Sequence, residues 1–118
     1  MVALGIADDE PDILRLFRIM LDRKGYPIAY MARNGDEAVE KHRQNPAEIV
    51  IMDYSMPFKD GVEATKEILR EFPCTKFFLM TCGEDVSELL KGLDMVTIVK
   101  KPFTFKSIIN LLERSVRL

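Results

Sequence analysis

The sequence is short of most features that mark a specialised class of protein. It has no tryptophan, one histidine and two cysteines. Cys74 and Cys82 belong to no C-x-x-C pair, so neither a disulfide framework nor a zinc site is expected, and both should be reduced thiols. His42 stands among Lys41, Arg43 and Gln44, a setting that suggests a solvated helix position rather than a ligand or phospho-carrier. Neither sign of charge dominates: 17 basic against 19 acidic residues leave a net charge of -2, without the broad basic footprint that nucleic acid needs. The first apolar run, Val2 to Ala7, is cut off by Asp8, Asp9 and Glu10. No other run is long enough to cross a bilayer, so the expectation is a cytoplasmic protein with no membrane partner. There is no G-x-G-x-x-G and no P-loop, which removes the usual glycine-rich phosphate cradles.

What is present is an alternation. Short apolar runs at Val2 to Ala7, Ile28 to Met31, Ile49 to Met52, Phe77 to Met80 and Val96 to Val99 read as strands buried on both faces. Pro27 confines the second to a sheet edge. Between them lie segments of helical period. The first starts at Pro11, carries Ile13, Leu14, Phe17, Met20 and Leu21 on one face, and stops at Gly25. Others are expected over about 36–43, 62–71 and 84–91, and a fifth after Thr104 carries Phe105, Ile108, Ile109 and Leu112. With right-handed crossovers, this predicts an α/β protein of (βα)5 plan, a flavodoxin-like doubly wound parallel sheet of strand order 2-1-3-4-5. A chain of 118 residues suits one domain over 1–118.

In such a sheet, ligands bind beyond the carboxyl ends of the strands, beside the first and third. The residues expected there are Asp8 and Asp9 after the first strand, Asp53 after the third, Thr81 after the fourth and Lys101 after the fifth. Taken singly, each has a structural reading: a helix cap, a turn residue, a solvated charge. Together, three carboxylates and one ammonium call for a divalent cation, and hard oxygen donors favour Mg²⁺ over zinc or copper. A cation, a hydroxyl and a lysine make a cradle for a phosphoryl group. Asp53, already ionised, would attack phosphorus without a general base. Pro57 and Asp60-Gly61 would turn the chain away and leave the crevice open.

These residues stand in motifs, "IADDEPDIL", "IVIMDYSMPFKDG", "FFLMT" and "IVKKPF", that together resemble the receiver domain of two-component response regulators, the chemotaxis regulator included, over the whole chain. The resemblance implies that Asp53 accepts a phosphoryl group from a sensor histidine kinase or phosphotransfer protein. Asp8, Asp9, Asp53 and the backbone carbonyl of Ser55 would arrange Mg²⁺, and Thr81 and Lys101 would grip the phosphoryl oxygens. Lys101, directly before Pro102, takes the family position ahead of Lys100, with a cis bond expected between Lys101 and Pro102. No activity beyond self-catalysed acceptance and release of phosphate is implied. The partners implied are the kinase and a downstream effector reached through the face of the fourth helix, fifth strand and fifth helix, and the resemblance admits a phosphorylation-dependent dimer. Nucleic acid is not expected at this domain.

Four positions depart from the family pattern. Ile98 stands where an aromatic switch residue is common, as a buried aliphatic that cannot swing a ring. Ser55 and Gly83 offer no amide or carboxylate to position an attacking water, so a long-lived phosphorylated state is expected. Phe58, often glycine, reads as a local packing residue. The segment after Thr81, with Gly83 and Gly92, should be the loosest part of the chain. Rival readings are a flavin or nucleotide carrier, an aspartate-dependent phosphatase, which would need a second acid where Ser55 stands, and a receiver-like interaction domain that no longer cycles phosphate. The chain is expected to be either a stand-alone receiver or a part of a longer regulator or hybrid kinase.

Overall fold

A computed structural model of the chain describes residues 2–116. Five strands, β1 (Leu4–Ala7), β2 (Ile28–Ala32), β3 (Ile49–Asp53), β4 (Lys76–Thr81) and β5 (Val96–Lys100), form one parallel sheet in the order β2-β1-β3-β4-β5. Among the described residues four helices cover it: α1 (Pro11–Arg23), α2 (Gly35–Gln44), α3 (Gly61–Glu71) and α4 (Phe105–Val116). The strand order is the expected one, and β2, led in by Pro27, is an edge.

Alternate side chains of the strands feed two cores. Val50, Met52, Phe77 and Leu79 face Ala38, Val39, Ala64 and Ile68 of α2 and α3. Ile49, Ile51, Phe78 and Met80 face Leu14, Phe17 and Leu21 of α1 and Ile108 and Leu112 of α4. Each fully buried side chain of this size contributes about 1.5–3 kcal/mol. Because both faces are covered, the strands cannot slip by one residue without exchanging their cores.

The expected strand limits shift in a way that bears on the site. β1 begins at Leu4 rather than Val2, whereas β3, β4 and β5 each run further, taking in Asp53, Thr81 and Lys100. Asp53 and Thr81 are thus strand residues, while Asp8, Asp9 and Lys101 lie just beyond strand ends.

The expected fourth helix over 84–91 does not form, so the plan is (βα)5 with one crossover left irregular. Side chains there compete for the backbone. Asp85 Oδ1 accepts from Ser87 N at 3.1 Å and from Ser87 Oγ at 2.6 Å, and Glu84 Oε1 accepts from Cys82 N at 2.7 Å. Gly83 and Gly92 bracket the segment at φ +111° and +82°. A segment this short is a poor helix without strong tertiary support. Only Val86 and Leu90 are buried, joined by the bond from Leu90 N to Val86 O at 3.2 Å.

Two further expectations are corrected. His42 is not solvated: with Ala38 and Val39 it lies on the buried stripe of α2. Its Nδ1 lies 2.8 Å from Tyr30 Oη, its Nε2 lies 3.3 Å from Thr75 Oγ1, and the Phe72 ring meets it edge-on at 4.7 Å. The charged neighbours that suggested solvent belong to the helix's other flank. Phe58 packs against little, being 88% exposed, and it adopts φ +69° with Lys59 N donating to Pro57 O at 2.8 Å. An L-residue held left-handed costs about 1–2 kcal/mol, which explains the fitness of glycine at this position. The Lys101–Pro102 peptide is cis as expected, and both cysteines are free and exposed.

Burial holds the pKa of His42 below its ordinary value, against a weaker opposing pull from Glu71. A depressed histidine stabilises the fold above the unfolded pKa of about 6.5 and withdraws that stability as pH falls toward the folded value. In His42→Gln, which keeps a polar group but cannot titrate, the loss of urea stability between pH 7 and 5 is expected to be smaller than in the parent protein.

Candidate functional site

The carboxyl ends of β1, β3, β4 and β5 converge on one acidic crevice. Asp8 follows β1 directly and is fully buried, while Asp9 is exposed. Asp53 ends β3 and is 4% exposed. One carboxylate oxygen from each of Asp8, Asp9 and Asp53 lies within 4.8 Å of the others. From the other side, Lys101 Nζ donates to Asp53 Oδ1 at 2.9 Å. Lys100, paired in register with Thr81, is exposed. Thr81 ends β4, and its backbone carbonyl accepts from Lys101 N at 2.7 Å. Ser55 is exposed in the loop after β3.

Close packing fixes Asp53 from behind. A Cβ on Gly61 would fall against the backbone carbonyl of Asp53, and Gly61 N donates to Tyr54 O at 2.8 Å. The first turn of α3 therefore abuts the end of β3, with Asp60 capping it by accepting from Glu63 N at 2.9 Å. The sequence shows the Asp-Gly pair as a turn, but its closeness to Asp53 has no local signature. Cys82 is a second residue without a sequence signal. It shares the wall of a cleft of about 490 Å³ with Asp8, Glu10 and Lys101.

Two buried polar atoms at this edge lack any hydrogen-bond partner among the described residues: Asp8 Oδ2 and Thr81 Oγ1. A buried polar group without a partner costs about 1–3 kcal/mol, so each is available to a ligand. The donor set, three carboxylates, is that of a hard divalent cation. Asp8 does not cap α1 with its side chain at the N-cap position, which Glu10 occupies; instead Asp8 Oδ1 accepts from Glu10 N at 3.0 Å. A roomier cleft of about 550 Å³ lies at the opposite end of the sheet, beside Ala47, Phe72 and Thr75, away from these groups.

Electrostatics match the geometry. Burial pushes Asp8 up to about 6, the bond from Glu10 N opposes this, and the charge of Asp53 adds to it. Burial likewise raises Asp53, while Lys101 pulls it back down. Burial disfavours the charge on Lys101, but the bond to Asp53 and the charges of Asp53 and Asp8 outweigh it and raise its pKa. For Asp8, a folded pKa above the unfolded one means stability that is full below about 4 and is lost as pH rises through about 6. In the metal-free protein at pH 7, Asp8→Asn is therefore expected to raise urea stability by about 1–3 kcal/mol. An unchanged or lowered stability in chelator would contradict this assignment of strain.

Comparison with known proteins places this geometry. Residues 4–113 match the family model of the response regulator receiver domain. The chemotaxis protein CheY of Thermotoga maritima is 28% identical over 111 residues, 92% of each chain. The transcriptional regulatory protein ResD of Bacillus subtilis is 32% identical over 106 residues, 88% of this chain and 43% of that one. Longer curated relatives are matched only in part, this chain spanning 22% to 54% of their length. A CheY-like receiver domain protein of Methanospirillum hungatei shares the fold at a TM-score of 0.90 and 18% identity, with 98% of this chain and 93% of that one covered. The acidic crevice at the strand ends and the match over nearly the whole chain lead to one conclusion: this chain belongs to the response regulator receiver domain family.

Proposed function

We propose that the chain, as one domain over 1–118, accepts a phosphoryl group on Asp53 and passes the signal to a protein partner. The observation that carries this reading is the meeting of Asp8, Asp9 and Asp53 within 4.8 Å, with Lys101 bonded to Asp53. Asp8, Asp9 and Asp53, with the backbone carbonyl of Ser55, would hold Mg²⁺. When bound, the ion would supply positive charge that offsets the charge on the phosphoryl oxygens.

The chain's own groups supply the rest. A free oxygen of Asp53 attacks phosphorus, the bond to the donor's imidazole nitrogen breaks, and the imidazole leaves with that electron pair. Lys101, already beside Asp53, follows the charge onto the phosphoryl group, so the ammonium loses no partner. The unpartnered Thr81 hydroxyl donates to a second phosphoryl oxygen. Burial of Asp53 and the rigid β3 tip keep the nucleophile in place through the transfer. The donor is a sensor histidine kinase or phosphotransfer protein. No step requires turnover of an outside substrate, so the domain acts as a signalling acceptor and not as an enzyme. Among the described residues no helix is long and apolar enough to cross a membrane.

The rival carrier and phosphatase readings lack a matching feature: the crevice is lined by acids, and Ser55 stands where a phosphatase needs its second carboxylate. Switching through residue 98 also changes. Ile98, on the edge strand β5, is 38% exposed and not buried. Output through ring rotation is therefore replaced by movement of Thr81 and the segment after it.

Intact-mass measurement after incubation with acetyl phosphate and Mg²⁺ is expected to show one added phosphoryl group, lost in Asp53→Asn and in chelator. Lys101→Ala is expected to slow the reaction by about 10²-fold or more. Unchanged mass in the parent protein, or a phosphoryl group that survives Asp53→Asn, would overturn the reading.

A further inference from the structure

The two flanks of α3 carry charges in different states. Toward α2, Glu67 and Glu71 are already engaged: Lys59 pairs with Glu67, and Arg43 Nε donates to Glu71 at 2.9 Å. On the opposite flank, Lys66 and Arg70 form no ion pair among the described residues. Two of the three acids of α3, Glu67 and Glu71, are thus spent internally, while its bases Lys66 and Arg70 face outward.

Those bases border a cleft of about 490 Å³ between α3 and the irregular crossover 82–95. Leu69, Leu89 and Leu93 form its apolar lining, while Lys66, Arg70 and Lys91 supply three cations against the single acid Glu88. Leu89 is 47% exposed although Leu90 beside it and Val86 are buried. The buried pair pins the segment and holds Leu89 at the surface. None of Asp8, Asp53 and Lys101 lines this cleft.

We propose that this cleft docks an acidic, leucine-bearing segment of a partner protein. Charge complementarity selects the occupant: an excess of two cations over apolar side chains fits glutamates or aspartates flanking leucines. A second copy paired about a two-fold axis would set Lys66, Arg70 and Lys91 against their own counterparts, which disfavours self-association through this face. Nucleic acid would leave the leucines unmatched and meet a domain of net charge -2.

Docking here is coupled to the acceptor site. The far wall of the cleft is the segment that leaves β4 at Thr81, and its few anchoring bonds let it adopt more than one arrangement. A phosphoryl group that draws in the Thr81 hydroxyl biases that segment, and a bound peptide biases it from the other side. This coupling rests on the reading of Asp53 as acceptor; the docking itself does not.

The test is a displayed library of peptides about 14 residues long, built from Leu, Ala, Gln, Glu and Lys and selected on the unphosphorylated chain. Enriched peptides are expected to be acidic with spaced leucines, and to bind Lys66→Glu/Arg70→Glu about tenfold or more weakly by fluorescence anisotropy. Exchanging their glutamates for lysines is expected to restore binding to that variant, which separates charge pairing from misfolding. Enriched peptides without excess negative charge, equal binding to the double variant, or concentration-dependent dimers that the double variant abolishes would overturn the proposal. Basal peptide binding is read without any phosphodonor, so this arm is readable even if Asp53 is never phosphorylated. In the parent protein, acetyl phosphate with Mg²⁺ should tighten binding about fivefold or more. No tightening in protein shown by mass to be phosphorylated would overturn the coupling.

Discussion

Three carboxylates and one ammonium held together at the edge of a buried sheet are the constraint on which the rest of this protein turns. Asp8, Asp9 and Asp53 would separate if free to do so, and among the described residues Lys101 is the cation paired with them, through Asp53. Holding like charges this close, with Asp8 fully buried, is a stored cost that the two hydrophobic cores must carry. Burial first, and the charge of Asp53 to a smaller extent, push the pKa of Asp8 up to about 6. Among the described residues an oxygen of Asp8 and the hydroxyl of Thr81 have no hydrogen-bond partner, which suits them to a ligand that supplies positive charge and acceptor oxygens.

The fold serves this constraint by extending strands up to Asp53 and Thr81. Asp53 and Thr81 are the last residues of their strands, held in register by the ladder and by burial on both faces. Gly61 lets α3 begin against the carbonyl of Asp53, where any side chain would intrude. A regular strand end at Asp53 stands beside an irregular crossover one strand away. The crossover after Thr81 is pinned by Val86 and Leu90 and is otherwise irregular. In the function proposed above, Asp53 at a strand end beside an irregular segment is an arrangement in which a small change at Asp53 can move a surface.

Much of this is legible in the sequence because the dominant signals are local. Unbroken apolar runs mark buried strands, Pro27 marks the edge, and polar residues directly after such runs mark the site. The motifs around Asp8, Asp53, Thr81 and Lys101 carry the family. What the sequence hides depends on balances between distant groups. His42 looks solvated from its neighbours, yet Tyr30 and Thr75, far along the chain, give its ring two polar partners in the core. The segment 84–91 has apolar residues at helical spacing, but Asp85, Ser87 and the flanking glycines favour turns. Phe58 reads as packing by residue type, and only its backbone angle and exposure show otherwise.

The convergence of the acids is tested most directly by paramagnetic broadening with Mn²⁺, an oxygen-seeking stand-in for Mg²⁺, in the nuclear magnetic resonance spectrum of the labelled chain. Substoichiometric Mn²⁺ should erase the amide signals of Asp8, Asp9 and Asp53 first, and excess Mg²⁺ should restore them. Signals from the ring of His42 and from Cys74, toward the other end of the sheet, should persist. Broadening centred on any other acidic cluster, or none at all, would contradict the account.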